Sequence, residues 1–283
     1  MQGFGQRVAE AVSERESQIL LGLDPNPAKL WADARGLQSP ADAVRRHCEL
    51  VIDAVAPAVV GVKLQLACFE RLGAPGWQAL ADAAAHARSL GLLVVADGKR
   101  GDIDVSAAAY AEALMASPGG LEADAVTVAP YMGRDSLQPF IDQAAASGAG
   151  VFVLVRTSNP GAADIEELEL ASGGPVWESV ARMVGELGDD GDGLSSVGAV
   201  VGATAPAQLA RVRELLPRAV LLIPGVGAQG GKIEQLGATF EPGRAGGLIA
   251  VSRALVDHDG NEQQAARAAA EDLRQQAWSV SAG

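Results

Sequence analysis

The chain has 283 residues, 48% of them hydrophobic and only 4% aromatic, so its core is built mainly from Val, Leu, Ile and Ala. That length allows one large domain or two small ones. The 35 acidic residues outnumber the 22 basic ones for a formal charge of −13, which excludes a general nucleic-acid binder, since that needs a basic footprint.

Eight β-type runs follow one another: Ile19–Asp24, Val59–Gln65, Leu92–Asp97, Ala125–Pro130, Gly150–Ser158, Val197–Thr204, Ala219–Gly225 and Gly247–Arg253. Each is short and nearly continuous in apolar residues, as parallel strands covered on both faces must be. Amphipathic stretches separate them, among them Gln78–Leu90, Asp135–Ser147 and Ala205–Leu216. In the last of these Thr204 is placed to cap the helix and Pro206 falls in its first turn. Glu262–Ala277 reads as a terminal helix. Strand–helix alternation implies a parallel sheet. Eight repeats with no composition shift favour a closed (β/α)8 TIM barrel, one α/β domain over residues 1–283, close to the roughly 250 residues typical of that fold.

Two stretches read as long loops. Residues 159–175 follow the fifth strand at its C-terminal end, with room for a short helix in their acidic middle, and are the expected lid. Residues 188–196 precede the sixth strand, on the stability face, where acidity serves solvation. Cys48 and Cys68 form no framework and read as small buried hydrophobes. His47, His86 and His258 lack metal-ligand spacing and read as solvated helix faces or loop. No apolar run approaches the ~20 residues of a membrane span, and Met1–Ser17 has no signal-peptide core. The expectation is a soluble cytoplasmic protein with no metal, membrane or nucleic-acid partner.

In a parallel barrel the chemistry sits at the C-terminal strand ends, and the unusual polar residues fall there. Strand one ends at Asp24; strand two carries Lys63 and Gln65 at alternate positions facing one way. Strand three runs into Asp97-Gly98-Lys99-Arg100-Gly101-Asp102, and strand five ends Arg156-Thr157-Ser158. Only four of the 22 basic residues are Lys, and two of those four, Lys63 and Lys99, stand at neighbouring mouth positions. Alternating Lys and Asp at close range keep each other ionised. Such a network is in place before substrate arrives, as electrostatic catalysis requires. The glycine-rich turn Pro224–Gly231 after strand seven, with Arg253 ending strand eight, suits a phosphate.

These residues resemble a known family. Asp97-x-Lys99-x-x-Asp102-Ile103 resembles the D-x-K-x-x-D-I signature of orotidine 5′-phosphate decarboxylases. The likeness extends through Leu21–Pro25, Gly61–Gln65, Val128–Leu137, Arg156–Ala162, Val201–Thr204, Pro224–Gly231 and Ser252–Leu255, nearly the whole chain. The PYMG, TSNPGA and GAT segments are similar to the longer bacterial, mycobacterial-type subfamily.

The resemblance implies a homodimeric barrel that converts orotidine 5′-monophosphate to UMP and CO2 in pyrimidine biosynthesis, without metal or organic cofactor. By motif position Lys99 would protonate C6 of the pyrimidine, Asp97 would lie against the departing carboxylate, and Lys63 would bridge the network and touch the ribose. Asp102 would complete the partner's site, with Ile103 lining the same pocket. Ser106 stands where the family has Thr and keeps its hydroxyl. Asp24 would bind ribose hydroxyls, Ser158 the pyrimidine edge, and Gln229 with Arg253 the phosphate. Three rivals remain at this level. They are a Mg²⁺-dependent sister barrel acting on a sugar phosphate, a Schiff-base aldolase using Lys99 or Lys63, and a non-catalytic phosphate-ligand binder.

Overall fold

Eight strands close into one barrel in the computed structural model, which describes residues 2–116, 118–188, 191–204, 206–227, 229–258 and 260–282. They are β1 (Ile19–Leu23), β2 (Gly61–Gln65), β3 (Leu93–Arg100), β4 (Ala125–Val128), β5 (Gly150–Arg156), β6 (Ser195–Val201), β7 (Ala219–Pro224) and β8 (Gly247–Val251). Each pairs in parallel with the next, and β8 closes on β1 through Ile19↔Ile249. The helices are α1 (Phe4–Arg15), α2 (Pro40–Val55), α3 (Leu66–Glu70), α4 (Ala74–Ser89) and α5 (Asp104–Met115). They continue with α6 (Arg134–Ser147), α7 (Val176–Leu187), α8 (Pro206–Leu215), α9 (Arg253–Val256) and α10 (Glu262–Val280).

Strand alternation divides the core in two. Ile19, Leu21, Val62, Leu64, Val94, Ala96, Val126 and Val128 point outward to the helices. Leu20, Val95, Ala125, Phe152, Val200, Leu222 and Leu248 fill the barrel, together with Phe4, Val8 and Val12 of α1. Helix α1 lies across the N-terminal strand ends. Phe4 meets Phe152 edge-on at 5.7 Å, and a side chain at Gly150 would collide with the Phe4 ring. That floor is closed by apolar packing, so the polar inward positions collect at the opposite end.

The structure moves several predicted boundaries. Strand β3 continues three residues past Asp97 to Arg100, and β6 begins two residues early, at Ser195. Arg253 does not end strand eight: β8 stops at Val251, and Arg253 is the first residue of α9. The short helix of the 159–175 loop is a 3-10 turn at Pro160–Asp164, ahead of most of the acidic residues. The exposed reading of the histidines is wrong for His47, which is 1% exposed on the buried face of α2. Asp189 and Asp190 of the acidic loop, Ala205 at the start of a predicted helix and Ala228 of the glycine-rich turn lie outside the described residues.

Candidate active site

The side chains at the C-terminal mouth are set by the same alternation. Lys63, between the outward Val62 and Leu64, points into the barrel, as does Asp97 after Ala96. Lys63 Nζ donates to Asp97 Oδ2 at 2.5 Å, and Lys99 Nζ donates to Oδ1 at 2.6 Å. Gln65 Nε2 reaches Oδ2 at 3.3 Å, and the Thr127 hydroxyl donates to Oδ1 at 2.9 Å. Each carboxylate oxygen therefore accepts two hydrogen bonds, which fills its lone-pair sites. Burial pushes the Asp97 carboxyl up, but Lys63 and then Lys99 outweigh it and hold it at about 2. Asp97 stays ionised because its partners are fixed, and they are fixed because three neighbouring strands, β2, β3 and β4, deliver them.

Lys99 sits at an irregularity of β3. Between the pairs Ala96↔Val126 and Arg100↔Val128 the β3–β4 register slips. Lys99 sits there at φ 46°, in the left-handed region, which is uncommon for a residue with a side chain. The next residue, Arg100, forms an ion pair with Glu70 of α3 and lies over the Tyr110 ring at 5.3 Å.

The facing wall comes from β5 to β8. Ser158 Oγ donates to Gln229 Oε1 at 2.7 Å. Gly202 leaves room for Ser158, which a Cβ there would approach to 2.8 Å. The turn after β7 takes Gly225, Gly227 and Gly230 through positive φ, a path glycine follows without the Cβ clash. Arg253 is exposed and lines the cavity, and its side chain makes no hydrogen bond or ion pair among the described residues. Lys63, Asp97, Lys99, Asp24, Ser158, Gln229 and Arg253 thus share one cavity of about 470 Å³. The base of the 159–175 loop is tied to this wall, since the Glu166 carboxylate accepts from the Thr157 amide at 2.9 Å and hydroxyl at 2.7 Å.

Three predicted site residues lie elsewhere. Asp102, Ile103 and Ser106 do not line the cavity; Asp102 Oδ1 accepts the Ile103 N–H at 2.8 Å, and Ile103 and Ser106 are exposed. On α5 Val105 is 83% exposed and Tyr110 is half-exposed, and between β4 and α6 Tyr131 is 86% exposed and Met132 half-exposed. Conversely, Thr127 and Gln65 have no role in the site expected from sequence, yet both hydrogen-bond Asp97. The signal for Thr127 was available: it is the lone polar residue of β4, in register to face inward beside Ala125.

Among the described residues no three His, Cys, Asp or Glu side chains gather as metal ligands, and no helix is long and apolar enough to cross a membrane. A closed parallel barrel carrying a Lys–Asp–Lys network, and an Arg whose side chain has no partner among the described residues, in one mouth cavity defines an enzyme of the (β/α)8 class. The model of the family described as orotidine 5′-phosphate decarboxylase / HUMPS matches residues 17–269. A Rhodopirellula baltica protein named orotidine 5′-phosphate decarboxylase is 41% identical over 271 residues, 90% of this chain and 89% of its own. One of the same name from Deinococcus radiodurans is 44% identical over 276 residues, 96% and 95% of the two chains. The crystal structure of a Streptomyces avermitilis chain superposes with a TM-score of 0.88 at 34% identity, covering 100% of this chain and 97% of that one. The chain belongs to the orotidine 5′-phosphate decarboxylase / HUMPS family, and it is a carboxy-lyase.

Proposed function

We propose that this enzyme decarboxylates orotidine 5′-monophosphate to UMP, as a cytoplasmic step of pyrimidine biosynthesis, and that it is of the longer, mycobacterial-type subfamily. The observation that carries the reading is the fully hydrogen-bonded Asp97 between Lys63 and Lys99, facing Ser158, Gln229 and Arg253 across one cavity. As the C6–carboxylate bond breaks, CO2 leaves and its bonding electrons stay on C6. The Lys99 ammonium stabilises that charge more than it stabilises the ground state, which lowers the barrier. It then gives C6 its proton and is reprotonated from solvent. Asp97 holds both ammonium groups in place and lies against the departing carboxylate. Asp24 and Lys63 take the ribose, Ser158 the pyrimidine edge, and Gln229 with Arg253 the phosphate. No metal or organic cofactor enters a step.

The reading extends to a homodimer. Asp102 and Ile103 lead into α5, which carries Ser106 and the exposed Val105 and Tyr110, and Tyr131 and Met132 are exposed between β4 and α6; a partner surface would cover such side chains. In the dimer Asp102, Ile103 and Ser106 reach the partner's cavity, with Asp102 completing its charge network. The 159–175 loop acts as the lid, hinged on the Glu166–Thr157 contact.

The test is to mix pure protein with orotidine 5′-monophosphate, without added metal and with EDTA, and to follow the loss of its ultraviolet absorbance. Turnover that ignores EDTA, with no borohydride-trapped adduct, is expected. A metal requirement would favour the sugar-phosphate sister enzymes, and a trapped lysine adduct the aldolase mechanism. In the same assay Lys99→Ala is expected to abolish turnover while UMP still binds; near wild-type turnover would remove Lys99 from the mechanism.

A further inference from the structure

We infer that Thr127 is a positioning residue for the decarboxylation proposed above, its hydroxyl closing the β3 irregularity and holding Lys99 and Asp97 in their reactive arrangement. The inference rests on that functional reading and adds a residue to it. Between Ala96↔Val126 and Arg100↔Val128, three residues of β3, Asp97 to Lys99, stand against a single residue of β4, Thr127. A bulge of this kind interrupts the ladder and re-aims side chains. The interruption would leave the Lys99 N–H without an acceptor, and the acceptor it finds is Thr127 Oγ1, at 2.9 Å. The same hydroxyl sends its proton to Asp97 Oδ1, at 2.9 Å. That oxygen also receives Lys99 Nζ, at 2.6 Å. A ring of hydrogen bonds therefore runs from the Lys99 backbone through Thr127 and Asp97 to the Lys99 ammonium.

Thr127 is 1% exposed, so bulk water does not readily stand in for the hydroxyl. Lys99 holds a left-handed backbone conformation, which a side-chain residue keeps only where its surroundings impose it. The Thr127 contact supplies one such constraint at the amide itself. Ser158, Gln229 and Arg253 lie on the facing wall and share no hydrogen bond with this ring among the described residues, so its loss should fall on the chemical step and spare binding.

The experiment measures kcat, KM, UMP affinity and thermal midpoint for the wild type, Thr127→Val and Thr127→Ser across pH. Valine keeps the shape and removes both hydrogen bonds. It is expected to lower kcat about 10- to 100-fold, the scale of losing a hydrogen bond to a charged group. UMP affinity and KM should stay within about threefold, as for an interaction made mainly in the transition state. Serine restores the hydroxyl and should recover most of kcat. The acid limb of kcat should move upward in the valine variant, because Asp97 then loses one donor while keeping Lys63 from β2, Lys99 from β3 and the neutral Gln65. Thr127→Ala, which adds no bulk, replaces valine if valine prevents folding. Wild-type kcat and an unmoved acid limb in Thr127→Val would overturn the inference. So would equal losses in the valine and serine variants that track their thermal midpoints. Failure of the wild type to decarboxylate orotidine 5′-monophosphate would overturn the functional reading instead, so the two failures are separate.

Discussion

His47 is held neutral by packing. It is 1% exposed on α2, and its Nδ1 accepts the Trp31 backbone N–H at 3.1 Å. Burial lowers its pKa from 6.5 to about 4, against the opposing pull of Asp257. Between those values the unfolded chain binds a proton that the folded chain refuses, so folding stability rises with pH through the window and is lost as pH falls from 6.5 toward about 4. The contribution is on the order of 3 kcal/mol. His47→Asn, which can still present an acceptor to Trp31 and does not titrate, should flatten this part of the stability curve in urea titrations between pH 7 and about 4. An unchanged slope would mean that another group carries it. Sequence reading placed His47 on a solvated face because a helix with many polar residues does not declare which side is covered. Lys63, Asp97 and Lys99 were legible for the opposite reason, as rare lysines and an acid placed where apolar strands end. Thr127 was passed over because one hydroxyl within an apolar run also reads as an ordinary strand residue.

At the scale of elements, order and type were legible, since apolar runs alternating with amphipathic stretches leave few other arrangements. The edges were not. The pattern ends β3 at Asp97, whereas pairing resumes at Arg100 through a slip in register that no periodicity announces. Helix α1 was missed because its polar residues hide three buried ones, Phe4, Val8 and Val12. A second device at the barrel floor escaped notice in the same way. Arg213 of α8 is buried, and its guanidinium donates to the carbonyls of Leu216, Ala219, Thr239 and Gly246 at 2.7 to 2.9 Å. It thereby ties the end of α8 to the entrances of β7 and β8. Burial lowers its pKa to about 10, with Glu241 pulling the other way, so it remains charged at neutral pH. Arg213→Met removes every one of those donors; the Leu216 carbonyl keeps the Ala219 N–H at 3.3 Å, while the bonds to Ala219, Thr239 and Gly246 are lost. The expected cost is about 3–5 kcal/mol in urea unfolding. Because Arg213 lies at the end opposite the cavity, kcat at 25 °C should be unchanged. A loss under about 1 kcal/mol would show that water or local rearrangement satisfies the carbonyls.

For the whole molecule, a formal charge of −13 is awkward for capturing an anionic substrate unless attraction is concentrated at the mouth. Lys63, Lys99 and Arg253 line one cavity, and the Arg253 side chain has no hydrogen-bond or ion-pair partner among the described residues; in the function proposed above they supply that concentration and Arg253 meets the phosphate. Val105 and Tyr131 are 83% and 86% exposed, large side chains that a monomer would leave in water. If Asp102 serves the partner's cavity, two inactive variants can repair each other. Subunits carrying Lys99→Ala are mixed with subunits carrying Asp102→Ala and allowed to exchange. In each mixed dimer one cavity combines both defects, and the other draws Lys99 from one subunit and Asp102 from its neighbour. Random exchange makes half the dimers mixed, so activity should recover to roughly a quarter of wild type, the share of intact sites expected for a symmetric dimer. If Asp102 acted within its own cavity, every site would carry one defect and the mixture would give only the average of the two parents. Size-exclusion chromatography of the separate variants shows first that both are dimers, so a missing recovery then counts against the shared site.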